Sequence, residues 1–211
     1  MSIPSLLPVF PLPGVVLFPA QQLPLHIFEP RYRQMVRDVL DADRHLVIAN
    51  MTGEPQSDAP SFSHHATVGR VTAHQRMPDG RFNILVEGVV RATLRECPSE
   101  RLYRRVTVTP IEEPSGDDAR CPDRERVGMI SLAGMLMQLA RRETPELSLQ
   151  LAPDLDTGAL AFRIADRLVT DGAERQRILE AKSVAERVTR VTESLAAALA
   201  VARGGTGAVR E

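Results

Sequence analysis

Lysine is almost missing from this chain. Of 26 basic residues only Lys182 is a lysine, so chemistry that needs a lysine amine must use that position. A phosphate-binding P-loop requires G-x-x-x-x-G-K-[ST], but the stretch before Lys182 is RQRILEA, without glycine, which excludes that loop. A Ser–Lys dyad or a Schiff base would also fall on Lys182. That residue stands in ILEAKSVAERV, a polar junction between two helical patterns, where a solvated lysine is expected.

Cysteine is nearly as scarce. Cys97 and Cys121 have no short metal or redox spacing, so a disulfide-stapled secreted scaffold is not expected. No apolar run approaches the roughly 18 residues of a membrane-spanning helix. The N-terminal MSIPSLLPVF has neither the basic region nor the long apolar region of a secretory signal. The expected compartment is the cytoplasm, with no membrane as partner. A formal charge of −1 supplies no overall basic field for nucleic acid or an anionic membrane.

The rest of the composition is that of a globular protein, 43% hydrophobic and 25% charged over 211 residues. This length accommodates one large domain or two small ones and buries roughly 70% of the unfolded surface. Two periods divide it. Residues 1–113 read as mostly β. Leu46-Val47-Ile48-Ala49 is a short apolar run of buried-strand type. In residues 82–94, Phe82, Ile84, Val86, Val90, Ala92 and Leu94 share one parity, with Gly88 filling the gap as a bulge or bend. Met77-Pro78-Asp79-Gly80 is a turn that joins this strand to Val68–Arg76 in a hairpin. Tyr103–Ile111 supplies a further strand.

The segment PLPGVVLFPAQQLPLHIFEPRY, residues 11–32, carries prolines that end short strands, because each removes a backbone donor. Its last proline, Pro30, suits the first position of a helix. Tyr32, Met35, Val36, Val39 and Leu40 then form an amphipathic stripe. Residues 114–122 read as a linker, and 123–202 as a helical bundle. Asp123–Arg142 is apolar on most sides, predicting a central buried helix, although Gly128 and Gly134 each weaken it by roughly 1 kcal/mol unless close packing compensates. Further helices are expected over Ala159–Val169 and Ala173–Ala181. A fourth is capped by Ser183 with Glu186 three residues on, and has a seam of Val184, Val188, Val191, Leu195 and Ala198. Residues 203–211 read as a flexible tail.

Candidate chemistry is sparse. His26, His45, His64, His65 and His74 form no H-E-x-x-H pattern, and the adjacent His64 and His65 point to opposite faces of an extended chain. Ser61, Ser63, Ser131, Ser148 and Ser183 lack a nucleophile elbow. The pairs Glu112-Glu113 and Asp117-Asp118 suit solvated loops better than acid–base work. Arg91, Arg95, Arg101, Arg104 and Arg105, with Tyr103, form a basic cluster. Only eight aromatic residues exist for stacking, and interleaved acids blunt the field. Met129, Met135 and Met137 suit either an adaptable peptide surface or plain core, and core is expected. No catalytic residue, cofactor or metal ligand is expected.

LPVFPLPGVVLFPAQQLPLHIFEPRYRQMV, then VGRV, MPDGRFNILVEGVVRATL and the C-terminal ERQRILEAKSVAERVTRVTESL, together resemble the Lon protease N-terminal substrate-binding domain family over residues 5–200. The IFEPRY form is closer to free-standing members than to full-length Lon. The resemblance implies an α+β fold, a PUA-like β pseudo-barrel with one amphipathic helix, followed by a C-terminal helical bundle. It also implies a non-catalytic protein that binds unfolded or degron-bearing polypeptides. Pro11, Phe18, Pro19, Pro24, Leu25, Phe28, Glu29, Arg31 and Tyr32 match the family first as fold-signature positions, and an ion pair from Glu29 or Arg31 would fix the helix start. Pro24, Leu25, His26, Phe28, Arg31 and Tyr32 are the expected polypeptide-binding positions. The alternatives are a PUA-like RNA or small-molecule binding module using Arg91–Arg105, with nucleic acid not expected as a partner, and a hydrolase with a site assembled in space. A homodimer is left open.

Overall fold

The computed structural model of the protein describes residues 3–52, 61–141 and 155–205. The chain divides into two compact units, Met1–Glu112 and Glu113–Glu211.

The described residues of the first unit form six strands and one helix: β1 (Leu6–Pro13), β2 (Gln22–Ile27), α1 (Pro30–Leu40), β3 (His45–Met51), β4 (His65–Arg76), β5 (Phe82–Cys97) and β6 (Arg105–Pro110). The strands form a mixed sheet in the order β2-β5-β4-β3-β1-β6, with β1–β3 parallel and the other pairings antiparallel. The long β5 pairs with β4 through Phe82–Thr93, with β2 through Phe82–Glu87 and with β6 through Ala92–Cys97.

Pro13 ends β1 as expected, but Pro11 lies inside β1 and Pro24 inside β2, which corrects the expectation that the prolines of residues 11–32 end short strands, and Pro8 also lies inside β1. The reason is that each part of β1 pairs on one side only. Leu6–Pro8 pair with β6 and Val9–Pro13 with β3, so a missing donor can face away from the ladder.

The alternation of residues 82–94 also needs correction. Phe82, Ile84 and Val86 join one hydrophobic cluster, with Phe10, Leu46, Ile48 and α1. Ala92 and Leu94, of the same parity, join a second cluster with Val9, Val47 and Val68. Between them the register runs from Gly69↔Gly88 to Val68↔Val90, leaving Val89 as an extra residue. A one-residue bulge turns every later side chain to the other face. Gly88 is required there for another reason too: a Cβ on it would stand 2.2 Å from the carbonyl oxygen of Phe18. In the preceding turn Gly80 takes φ +81°, as the Pro-Asp-Gly sequence implies.

Helix α1 starts at Pro30, and buries Tyr32, Met35, Val36 and Val39, four of the five expected stripe residues. Its capping residue Glu29 makes no side-chain bond to the helix. Instead Arg31 donates to the Glu29 carboxylate at 2.9–3.0 Å. Both side chains are largely solvated, so the pair contributes little, about 0–1 kcal/mol.

The second unit holds α2 (Asp123–Ala140), α3 (Thr157–Leu168), α4 (Gly172–Glu180) and α5 (Val184–Gly205), after a single 3-10 turn at Gly116–Ala119. Helix α2 is not buried all round. Only Met129, Ala133 and Met137, spaced by four, are buried, while Val127 and Met135 are exposed. Helices α3 and α4 are capped by Asp156 and Asp171, whose carboxylates accept from Ala159 and Glu174 N–H. Ser183 Oγ accepts from Glu186 N–H at 3.1 Å, but the Glu186 carboxylate returns to Lys182 N–H, one residue before the expected position. The α5 seam is Val184, Val188, Val191, Leu195 and Leu199. At its centre Arg187 is 1% exposed, bonds Glu113 Oε2 at 2.9 Å and lies 3.7 Å from the Phe162 ring centroid. Gly158 admits it, since a Cβ there would come within 2.8 Å of Arg187 Nη1. Helix α5 includes residues 203–205. Arg142, Ser148 and the rest of the expected tail lie outside the described residues.

Two glycine substitutions separate these causes. Gly88→Ala should destabilise the first unit by about 2–3 kcal/mol, because the clash is with backbone. Gly134→Ala on α2, where a Cβ meets nothing within 4 Å, should stabilise the helix by about 1 kcal/mol. Urea denaturation read by far-ultraviolet circular dichroism measures both.

Candidate polypeptide-binding edge

The outermost strand, β2, pairs with β5 on one side and with no other strand among the described residues. Its entry is fixed by Ala20, which takes φ +58° and donates its N–H to Gly88 O at 2.8 Å, while Gly88 N–H donates to Gln21 O at 2.9 Å. Antiparallel pairing alternates, so from Gln21 onward Leu23, Leu25 and Ile27 direct their backbone groups to β5. Gln22, Pro24 and His26 direct theirs to the open edge. Pro24 has no donor to lose and sits where a proline is tolerated.

The six expected binding positions separate by burial. Ile27 and the partly buried Leu23 and Leu25 belong to the core cluster, so Leu25 is mainly a packing residue. Tyr32 is 7% exposed with its ring 4.3 Å from that of Phe10, and Arg31 covers it at 4.6 Å. Tyr32 is thus a core residue and leaves the candidate surface. Pro24, His26, Phe28 and Arg31 are exposed, and Phe28 is 61% exposed, unusual for a phenylalanine.

His26 is held in place. Its Nδ1 lies 2.7 Å from Asn83 Oδ1, directly opposite on β5, and its Nε2 lies 3.4 Å from Arg81 Nη1. Arginine can only donate, so Nε2 accepts and Nδ1–H donates to Asn83. The ring stacks beside Phe28, with centroids 6.3 Å apart. Asn83 and Arg81 were not legible as site residues, because only the β2–β5 register brings them there. The surface therefore offers a row of backbone groups, an apolar ring and a fixed imidazole, with no nucleophile beside a base.

The basic cluster does not form a continuous face. Arg91 is buried, Arg104 pairs with Glu96 at 2.6 Å and covers Phe62, and Arg101 lies 3.4 Å from Asp38. Tyr103 is buried, and its hydroxyl donates to Asp38 Oδ2 at 2.7 Å. The RNA reading is not favoured. Among the described residues no group of three His, Cys, Asp or Glu could hold a metal ion. No described helix is long and apolar enough to cross a membrane.

A mixed sheet followed by a helical unit is the arrangement of known Lon N-terminal domains. The chain overlays the N-terminal domain of Mycobacterium avium complex Lon protease with a TM-score of 0.66, at 20% identity, covering 90% of this chain and 98% of that one. The Lon N-terminal domain protein from Xanthomonas campestris gives 0.64 at 22% identity, covering 88% and 96%. The family model of the ATP-dependent protease La (LON) substrate-binding domain matches residues 6–197, and the chain belongs to that family. Curated relatives include Lon protease of Trichlorobacter lovleyi, 27% identical over 93% of this chain and 24% of its own length. Lon protease 2 of Bdellovibrio bacteriovorus is 29% identical over 95% of this chain and 26% of its own length. The chain spans about a quarter of the length of these relatives.

The two tyrosines provide a solution check on this packing. Burial first, and then the Asp38 hydrogen bond, push the Tyr103 hydroxyl up to about 12, and burial raises Tyr32 as well. Both hydroxyls hold their protons more tightly in the folded chain. Their stabilisation is therefore complete below the ordinary value of about 10 and is lost as pH climbs toward 12. Ultraviolet titration of tyrosinate should show no midpoint near pH 10, and Tyr103→Phe should flatten the fall in stability above that pH.

Proposed function

We propose that the first unit binds extended, unfolded or degron-bearing polypeptide segments along the open edge of β2, with Phe28 as an apolar anchor, and that it does so without catalysis. The carrying observation is the unpaired edge of Gln22, Pro24 and His26 beside an exposed Phe28. Strand addition supplies affinity through backbone hydrogen bonds, which every polypeptide can make, and so suits recognition of varied sequences. Pro24 interrupts the donor row. It favours short, reversible pairing and disfavours edge-to-edge association of the protein with itself. The family's substrate-binding description supports recognition rather than proteolysis. The pairing of β5 with both β4 and β6 supports reading the sheet as a PUA-like pseudo-barrel.

Two substitutions test the edge. Phe28→Ser removes an exposed ring, and should weaken binding to an unfolded model protein by about tenfold without altering stability. His26→Pro removes one outward donor and should weaken it by a few-fold. Fluorescence anisotropy with a labelled unfolded protein reads both. Unchanged affinity in both variants, each folded by circular dichroism, refutes the edge as the binding surface.

A further inference from the structure

The first unit has a second concavity, apart from the β2 edge. It is a cleft of about 270 Å³ formed by the start of β1, the C-terminal end of α1 and the chain between β5 and β6. Its polar lining is not self-satisfied. His45 is 5% exposed, and its Nδ1 has no hydrogen-bond partner.

The charges of the cleft are divided unevenly. Asp38 already accepts from the Tyr103 hydroxyl and lies 3.4 Å from Arg101. Arg105, half-buried on β6 opposite Pro8, has no carboxylate partner among the described residues. Exposed Asp43 has no cation within ion-pair distance among them either. Leu6, Leu7, Pro8 and Val39 supply an apolar wall. Burial, and after it the charge of Arg70, hold the His45 ring below its ordinary pKa against the opposing pull of the Asp43 charge and a hydrogen bond to the Asp43 backbone, so the ring favours its uncharged form, with one donor and one acceptor.

We propose that this cleft binds a carboxylate carried next to a small apolar group. A free apolar amino acid and the C-terminal residue of a polypeptide share that chemistry. Arg105 takes the carboxylate, the wall formed with β1 takes the apolar side chain, and Asp43 accepts from the N–H beside the carboxylate. The site does not depend on the β2 edge, so either can fail without the other.

Nuclear magnetic resonance of the full chain tests this, with His45 ring signals as the local readout. The probes are N-acetyl-leucine for a polypeptide end, free leucine for an amino acid, and N-acetyl-leucine amide as the uncharged control. At least one carboxylate should shift the His45 signals and bind about tenfold more tightly than the amide. Arg105→Gln should remove that preference. Tighter binding of N-acetyl-leucine identifies the polypeptide end as the source, and tighter binding of leucine the free amino acid. Equal binding of acid and amide by the unsubstituted protein, or no shift up to about 10 mM of either carboxylate, overturns the proposal. That comparison needs no variant to fold.

Discussion

The architecture of the first unit depends on one strand changing partners. Strand β5 keeps β4 as a neighbour from Phe82 to Thr93 but pairs with β2 through Phe82–Glu87 and with β6 through Ala92–Cys97, and the exchange of β2 for β6 spans the bulge at Gly88 and Val89. The bulge turns the strand's core side chains from the cluster under α1 to the cluster shared by β1, β3, β4 and β6. The bare backbone of Gly88 admits the Phe18 carbonyl, which positions the turn leading into β2. The candidate edge is therefore a consequence of this exchange. β2 occupies the half of β5 that β6 leaves free, and no described strand follows it.

The second unit rests on a different kind of constraint. Arg187 is fully buried yet is hydrogen-bonded to Glu113, which is half-exposed, while its guanidinium carbon lies over the Phe162 ring. That arrangement keeps the charge linked to a solvated partner and avoids isolating it in the helical core, where an unpaired ion is costly. Gly158 on α3 is the residue that makes room for it. The caps at Asp156, Asp171 and Ser183 then set where three successive helices begin.

Much of this was legible in the sequence, because local signals agreed with the final packing. Pro30 and the stripe Tyr32, Met35, Val36 and Val39 gave α1 its start and buried face. The Pro-Asp-Gly turn gave the β4–β5 hairpin. What failed was whatever depended on partners distant in sequence. Period-2 reasoning marked a bulge or bend at Gly88 but still assigned one buried face to residues 82–94, because the face that the later side chains take is set by the opposing strand. Helix α2 was expected to be buried on composition, but hydrophobicity counts residues and not neighbours, and Val127 and Met135 face outward. Among the site residues, Pro24 and His26 lie on the face of β2 opposite the core-packed Leu23 and Leu25, Phe28 is exposed just past the strand's end, and Tyr32 is consumed by the core. Asn83, Arg81 and the cleft around His45 arise from register and long-range packing, with no local motif.

The central claim is that a polypeptide adds to the β2 edge through its backbone. Amide hydrogen exchange of the folded protein, with and without an unfolded polypeptide, tests it most directly. The expected result is slowed exchange at Gln22 and His26, whose N–H groups face the open edge, with Leu23 and Leu25 unchanged because β5 already holds theirs. Unchanged exchange at Gln22 and His26 under conditions where the polypeptide is bound would contradict it.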